Sequence, residues 1–293
     1  MTTKKRTNPV IIAVLSLFSL ACLIPFWLVM MVSFSDENEV LRSGYAFWPR
    51  KFSLVAYQYL LQDSEKIVRA YGVSIFVTVV GVFISLFVTS AMAYTMSRQD
   101  FPLKGPLSIY ILVTMLFSGG LLPWYLVYTR LLHVQDTLLA LIIPGLIGGF
   151  NVIIMRTFFT TSIPPSLIDS AQMDGAGEFK TYFNIILPLS LPVMATIGLF
   201  TTVSYWNDWF TSLVFIQNEK LYSLQYLLNK TLMNASFLQS IASKSYSSTA
   251  QVTQPLESIR MAMAMVAIAP LVLVFPFLQK YFVKGLTVGA VKG

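Results

Sequence analysis

Six stretches of this sequence, residues 10–34, 71–94, 105–129, 137–155, 185–206 and 261–278, contain no Lys, Arg, Asp or Glu. A helix needs about 20 apolar residues to cross a hydrocarbon core about 30 Å thick. Open strands are excluded there, because lipid offers their backbone groups no partners. The pattern therefore predicts an all-α membrane protein with six transmembrane helices. The second stretch holds twelve Val, Ile, Leu or Phe residues. At about −0.3 to −0.6 kcal/mol each near the helix centre, their insertion is favourable by several kcal/mol. The sixth is the shortest, and Gln279 and Lys280 can extend it, because a lysine near a helix end snorkels to the interface.

Composition agrees. Hydrophobic residues make up 56% of the 293 and charged residues 11%, against about 25% charged in a soluble domain. The 22 Phe, 14 Tyr and 5 Trp suit a chain anchored at two membrane interfaces. The net charge of +7 does not indicate nucleic acid, since the basic residues sit in short loops and form no continuous face. Cys22 is the single cysteine and His133 the single histidine. Neither a disulfide framework nor a Cys/His metal set can be built from them. With no nucleophile–base pair either, no catalytic or metal residue is assigned. His133 reads as a plain loop residue.

Residues 1–9 carry Lys4, Lys5 and Arg6 ahead of the first span. That span is too long for a signal h-region of about 7–15 residues, so it reads as retained. Six spans put both termini on one side. The basic N-terminus, Lys280, Lys284 and Lys292 at the other end, and the short loop with Arg98 and Lys104 place that side in the cytoplasm. The whole-chain count is neutral, with ten Lys or Arg on each side. The outer ones lie mostly in two long loops, where the rule loses force. Of these loops, 35–70 carries Tyr57, Tyr59, Leu60 and Leu61, which predict an interfacial helix. The other, 207–260, is rich in Ser, Asn and Gln, and its stretch 239–254 is expected to be mobile.

The loop at 156–184, between spans four and five, is different in kind. Pro164 and Pro165 fit the start of a helix. Leu167, Ile168 and Ala171 share one face. Asp174-Gly175 is a stop signal, and a second helix can begin near Glu178. The expected product is a protruding helix, a sharp turn and another helix leading into span five.

That segment resembles the cytoplasmic signature loop of ABC importer permeases. In that family the loop reads Glu-Ala-Ala, three residues, Gly, nine residues, then Ile, any residue, Leu-Pro. Here Asp169-Ser170-Ala171 precedes Gly175, and Ile185-Ile186-Leu187-Pro188 follows at the family spacing. Asp for Glu and Ser for Ala are the departures. Ala93 to Arg98, Trp206-Asn207-Asp208-Trp209 and the ending Lys284 to Gly293 are similar to the carbohydrate-uptake group, permeases of oligo- and polysaccharide importers such as alginate importers included.

The resemblance implies a bacterial inner-membrane permease with a transmembrane domain over 10–284 and a cytoplasmic tail over 285–293. Its implied partners are a homologous second permease, forming a heterodimer, two ATPase subunits and an extracytoplasmic sugar-binding protein. No Gly-Lys dipeptide occurs, so a P-loop is absent from the sequence. The chain itself is therefore expected to take no cofactor, with ATP and Mg bound by the ATPase. The resemblance implies that the coupling residues are Leu167, Ile168, Asp169, Ser170, Ala171, Asp174, Gly175 and Ala176. It also implies that the outer loop beyond Tyr222 meets the binding protein.

Tyr205, Trp206, Asn207, Asp208 and Trp209 are candidates for the translocation path. The rings can stack on sugar or anchor at the interface. Asp208 can face a cavity or cap locally. Gly145 and Gly149 form a G-x-x-x-G pair that permits close helix contact. Pro144, Pro188, Pro192, Pro270 and Pro276 are expected kink sites. An ATP-independent secondary carrier or channel is the alternative, but such a carrier should show internal repeats or midplane charges, and Asp208 is the only candidate.

Overall fold

The structure is a computed structural model, and it describes residues 9–62, 64–244 and 257–273. The expected mobile stretch beyond residue 244 and the C-terminal tail 285–293 lie outside the described residues. Among the described residues there is no strand, only an isolated bridge between Ser35 and Phe52. The helices in chain order are α1 (Pro9–Ser33), α2 (Glu37–Ser43), α3 (Val55–Leu61), α4 (Ser64–Ser97) and α5 (Lys104–Leu116). Then come α6 (Leu121–Leu131), α7 (Leu138–Gly145), α8 (Gly149–Ser162), α9 (Pro165–Met173), α10 (Glu178–Leu189) and α11 (Leu191–Trp206). The last are α12 (Phe210–Phe215), α13 (Leu224–Lys244) and α14 (257–273).

Among the described residues, only α1 and α4 are each long and apolar enough to cross a membrane alone. Three further candidate spans are bent pairs: α5 with α6 at 115°, α7 with α8 at 50°, and α10 with α11 at 77°. The expected span 105–129 is therefore not one straight helix. Its hydropathy runs unbroken across Phe117–Gly120, but the backbone there is not helical, and Gly120 adopts φ +85°. Span four also runs further than expected, with α8 continuing to Ser162. Arg156, the first charge after the apolar stretch, donates from Nη1 to Ser108 Oγ at 3.1 Å and lies within the helix. Pro144 sits at the 50° bend, and Pro188 and Pro192 flank the 77° bend. Of the sixth expected span, 261–278, the described part to residue 273 is helical, and Pro276 lies outside the described residues.

The described residues fall into two compact units, one within Met1–Ile67 and Leu228–Ala269, the other within Val68–Leu227 and Pro270–Gly293. In the first, α1 leaves its apolar residues exposed, Val10 to Trp27 among them, as a lipid-facing helix must. The chain after α1 is pinned by local contacts. Phe34 stacks on Phe52 and Tyr57, and Ser33 Oγ pairs with Tyr57 Oη at 2.9 Å. A helix does form near Tyr57: it is α3, which buries Ala56 and Leu60. Glu37 is buried and caps the start of α14. Its carboxylate accepts from the amides of Glu257 and Ser258 and from Ser258 Oγ at 2.8–3.0 Å.

Among the described residues the second unit has two apolar clusters. One joins Ala93, Tyr94 and Met96 of α4 to Ile111, Val152, Met155, Phe159, Tyr182, Ile186, Val193 and Ile197. The other gathers Val77, Leu141, Ile142, Tyr205, Phe215 and Ile216. The two glycines of the G-x-x-x-G pair do support close packing, but against different neighbours. A Cβ on Gly145 would lie 2.9 Å from the Tyr205 ring, and one on Gly149 2.8 Å from Met115.

The elbow between the fourth and fifth candidate spans

The elbow is built as its residues dictate. Pro164 caps α9 in extended conformation and Pro165 takes the first helical position, where a missing N–H is harmless. The helix ends in a Schellman motif. The Ala176 amide donates to Ala171 O and the Gly175 amide to Gln172 O, with Gly175 at φ +77°. That left-handed turn favours glycine. It reverses the chain into α10, whose middle, Tyr182–Ile186, is a π-turn.

The expected coupling residues divide into two sets. Ala171 is buried, and Ile168 packs against the first apolar cluster. These two fasten α9 to the bundle. Asp169, Ser170, Asp174 and Gly175 are exposed, Leu167 is 42% exposed and Ala176 is partly exposed. Sequence reasoning missed the two most prominent side chains. Met173 is 89% exposed and Phe179 83%, the highest values among the large apolar residues described. They flank the Gly175 turn. Their signal was an apolar residue on each side of a polar reversal.

A second omission is Glu178, the first residue of α10. Its Oε2 accepts from Tyr94 Oη at 2.7 Å. Its Oε1 accepts from Gln172 Nε2 at 3.1 Å and from Arg98 Nη2 at 3.4 Å. One carboxylate thus joins the end of α4, the end of α9 and the start of α10. Its negative charge also suits a helix N-terminus. Arg98 pairs with Asp100 as well, and that hydrogen bond holds the Asp100 carboxyl below its usual range. Beside this joint, Tyr94 and Tyr182 pack ring against ring at 5.4 Å, and Ser90 Oγ pairs with Tyr182 Oη. A cleft of about 430 Å³ opens here, lined by Phe87, Tyr94, Phe179 and Phe183 among others.

The five expected path residues are not brought together as one surface. Tyr205 is buried, wedged against Gly81 and Gly145, and its hydroxyl donates to Ile142 O at 2.7 Å. Trp206 is buried beside Tyr71. Asn207 is exposed and donates from Nδ2 to Val203 O. Asp208 caps α12, accepting from the Thr211 amide at 3.0 Å. Trp209 is 39% exposed. Asp136, which had no assigned role, adopts φ +57° and accepts from the amides of Gln217 and Asn218. Among the described residues no group of His, Cys, Asp and Glu could hold a metal.

A bent helical bundle with this elbow defines a class. The chain belongs to the family of binding-protein-dependent transport system inner membrane components, whose model matches residues 2–288. This agrees with the resemblance carried by Gly175 and Ile185 to Pro188. Within the family, the chain is 40% identical over 279 residues to the polygalacturonan/rhamnogalacturonan transport system permease protein YtcP of Bacillus subtilis (strain 168), covering 95% of this chain and 96% of that one. It is 27% identical over 282 residues to the arabinooligosaccharides transport system permease protein AraQ of the same organism, covering 94% and 93%. Among solved structures it matches a chain of a bacterial ABC transporter involved in the import of the acidic polysaccharide alginate. That match has a TM-score of 0.76 and 30% identity over 96% of this chain and 99% of the other.

Proposed function

We propose that this chain is a permease subunit of an ATP-driven importer in a bacterial inner membrane, with both termini cytoplasmic. It passes an oligosaccharide from an extracytoplasmic binding protein to the cytoplasm by alternating access. A homologous second permease completes the path, and two ATPase subunits bind ATP and Mg. The substrate is an oligosaccharide of an acidic polysaccharide. Two relatives support this class: one is named for polygalacturonan and the other is involved in alginate import. Both polymers are built of uronic acids.

The observation that carries the reading is the elbow tip. Met173 and Phe179 project on either side of the Gly175 turn, and in this reading the pair is the contact with the ATPase. Behind them, Glu178 ties the elbow to α4, so a push on the tip is delivered to a span 34 residues long. ATP can drive the switch only if the ATPase binds one state of the bundle more tightly than the other. The switch itself is a rigid-body change between discrete packings.

Reconstitution tests this. Proteoliposomes holding both permeases, the ATPase and the binding protein should accumulate oligogalacturonate or oligoalginate only with ATP inside. Accumulation by the permeases without the ATPase would establish a secondary carrier instead.

A further inference from the structure

The third candidate span departs furthest from a membrane helix, and a cavity lies beside its break. Residues Phe117–Gly120 are non-helical and exposed, and Phe117 is 72% exposed. Irregular backbone at membrane depth is tolerated only where protein buries it or water reaches it. The described residues do not bury it, so it faces either a second subunit or water, and an aqueous path is one of the two environments open to it.

The cavity is an open groove of about 750 Å³. Its wall is aromatic and held in place. Trp124 stacks on Phe210 with centroids 6.2 Å apart and 15° between planes. Phe215, fully buried, backs Trp124 at 4.6 Å, and Tyr128 meets its edge. Phe210 is fixed because it opens α12, which Asp208 caps.

Opposite chemistry completes the lining. Ser118 Oγ accepts from the Gly120 amide and keeps its own hydrogen to donate. Thr114 Oγ1 donates to Ile111 O and keeps acceptor capacity. No charged side chain is among the described residues that line the cavity. An acyl chain would use only the rings. A sugar ring uses both, with its C–H face on an aromatic and its hydroxyls on Ser118 and Thr114.

We infer that this cavity is a carbohydrate subsite on the translocation path, where the apolar face of a sugar ring lies against Trp124 and Phe210. The assignment rests on the function proposed above. Because the lining is uncharged, the subsite reads the ring and leaves a uronate carboxylate unread. Selection for acidic sugars is therefore made elsewhere in the assembly.

The test uses the assembled complex in proteoliposomes, with Cys22→Ser as background and Ser118→Cys as the reporter. A membrane-impermeant thiol reagent is expected to label the introduced thiol. Trigalacturonate at about ten times its dissociation constant should slow labelling about tenfold. Trp124→Ala should abolish that protection, and Trp124→Phe should restore it in part. A thiol that never reacts would show the cavity filled by the partner subunit. A thiol whose rate ignores the sugar would show a lipid or empty groove. Either result, in a complex that imports trigalacturonate, overturns the subsite alone. A wild-type complex that imports no oligosaccharide overturns the functional reading and the subsite with it.

Discussion

Glu178→Ala is the perturbation whose effect can be worked most fully from the structure. The substitution removes all three bonds that join the elbow to α4 and α10. The bond from Tyr94 is the shortest, at 2.7 Å, and Tyr94 is only 7% exposed. A hydrogen bond to a charged group contributes about 1.5 kcal/mol at the low end of its range. The contacts from Arg98 and Gln172 sit on the open side of a carboxylate that is 55% exposed. Each contributes about 0.5 kcal/mol once solvent screening is allowed for. The sum is about 2.5 kcal/mol, which shifts the equilibrium between docked and undocked elbow by roughly 70-fold.

The assay is sugar imported per ATP hydrolysed in proteoliposomes. That ratio should fall steeply, while ATP hydrolysis continues and the complex still assembles. Glu178→Gln should be intermediate, since an amide oxygen still accepts. Tyr94→Phe should fall less than Glu178→Ala. The pair should be non-additive, with a coupling of about 1.5 kcal/mol in a double-mutant cycle. Import per ATP that is unchanged in Glu178→Ala, or additive single and double variants, would refute the claim that this carboxylate transmits the push.

Other outcomes follow from single contacts. At Gly175, with φ +77° and open space where a Cβ would go, the penalty is conformational alone, about 1–2 kcal/mol. Import should rank Gly175→Asn above Gly175→Ala above Gly175→Val, with the binding protein's sugar affinity unchanged. A Cβ on Gly81 would lie 2.6 Å from the Tyr205 ring and one on Gly145 2.9 Å, whereas on Gly198 it meets Leu86 at 3.3 Å. Overpacking costs about 1–3 kcal/mol, so Gly81→Ala and Gly145→Ala should lower the melting temperature of the purified complex more than Gly198→Ala. The hydrogen bond from Lys51 holds the Asp36 carboxyl below its usual range. A depressed carboxylate stabilises the fold above the unfolded value, about 3.9, and that contribution is lost as pH falls through the folded value. Asp36→Asn should flatten the fall of melting temperature below about pH 4, measured beside wild type.

How much of this was legible in the sequence depends on the range of the forces. The unbroken apolar stretches at 10–34 and 71–94 are summed properties, and they reappear as α1 and within α4. The elbow was legible because its signals are local: Pro165 opens a helix and Gly175 closes one. Its sides were not, because 3.6-residue spacing placed Ile168 and Ala171 on one face without saying which face meets the bundle. The break at Phe117–Gly120 stayed hidden because a hydropathy sum cannot register backbone dihedrals, although Gly119-Gly120 was a visible cue. Arg156 misled in the opposite direction, since its partner Ser108 is 48 residues away. The loop 207–260 read as one long polar segment, whereas α12 and α13 lie within it. Tyr205 read as a ring that could stack on sugar or anchor at the interface, and only the two glycines facing it and the carbonyl of Ile142 reveal how tightly it is packed. Glu178 could not be found without its partners, two of which, Tyr94 in α4 and Arg98 just beyond its end, lie 84 and 80 residues earlier.

The claim on which the rest depends is that a separate ATPase grips the elbow tip. Phe179→p-benzoylphenylalanine places a photoreactive ring at that tip with little change of shape. Irradiating the assembled complex should yield an adduct between this chain and the ATPase subunit, with a yield that changes between ADP and ATP. An adduct only with lipid or with the extracytoplasmic binding protein would place the elbow away from the motor and contradict the account.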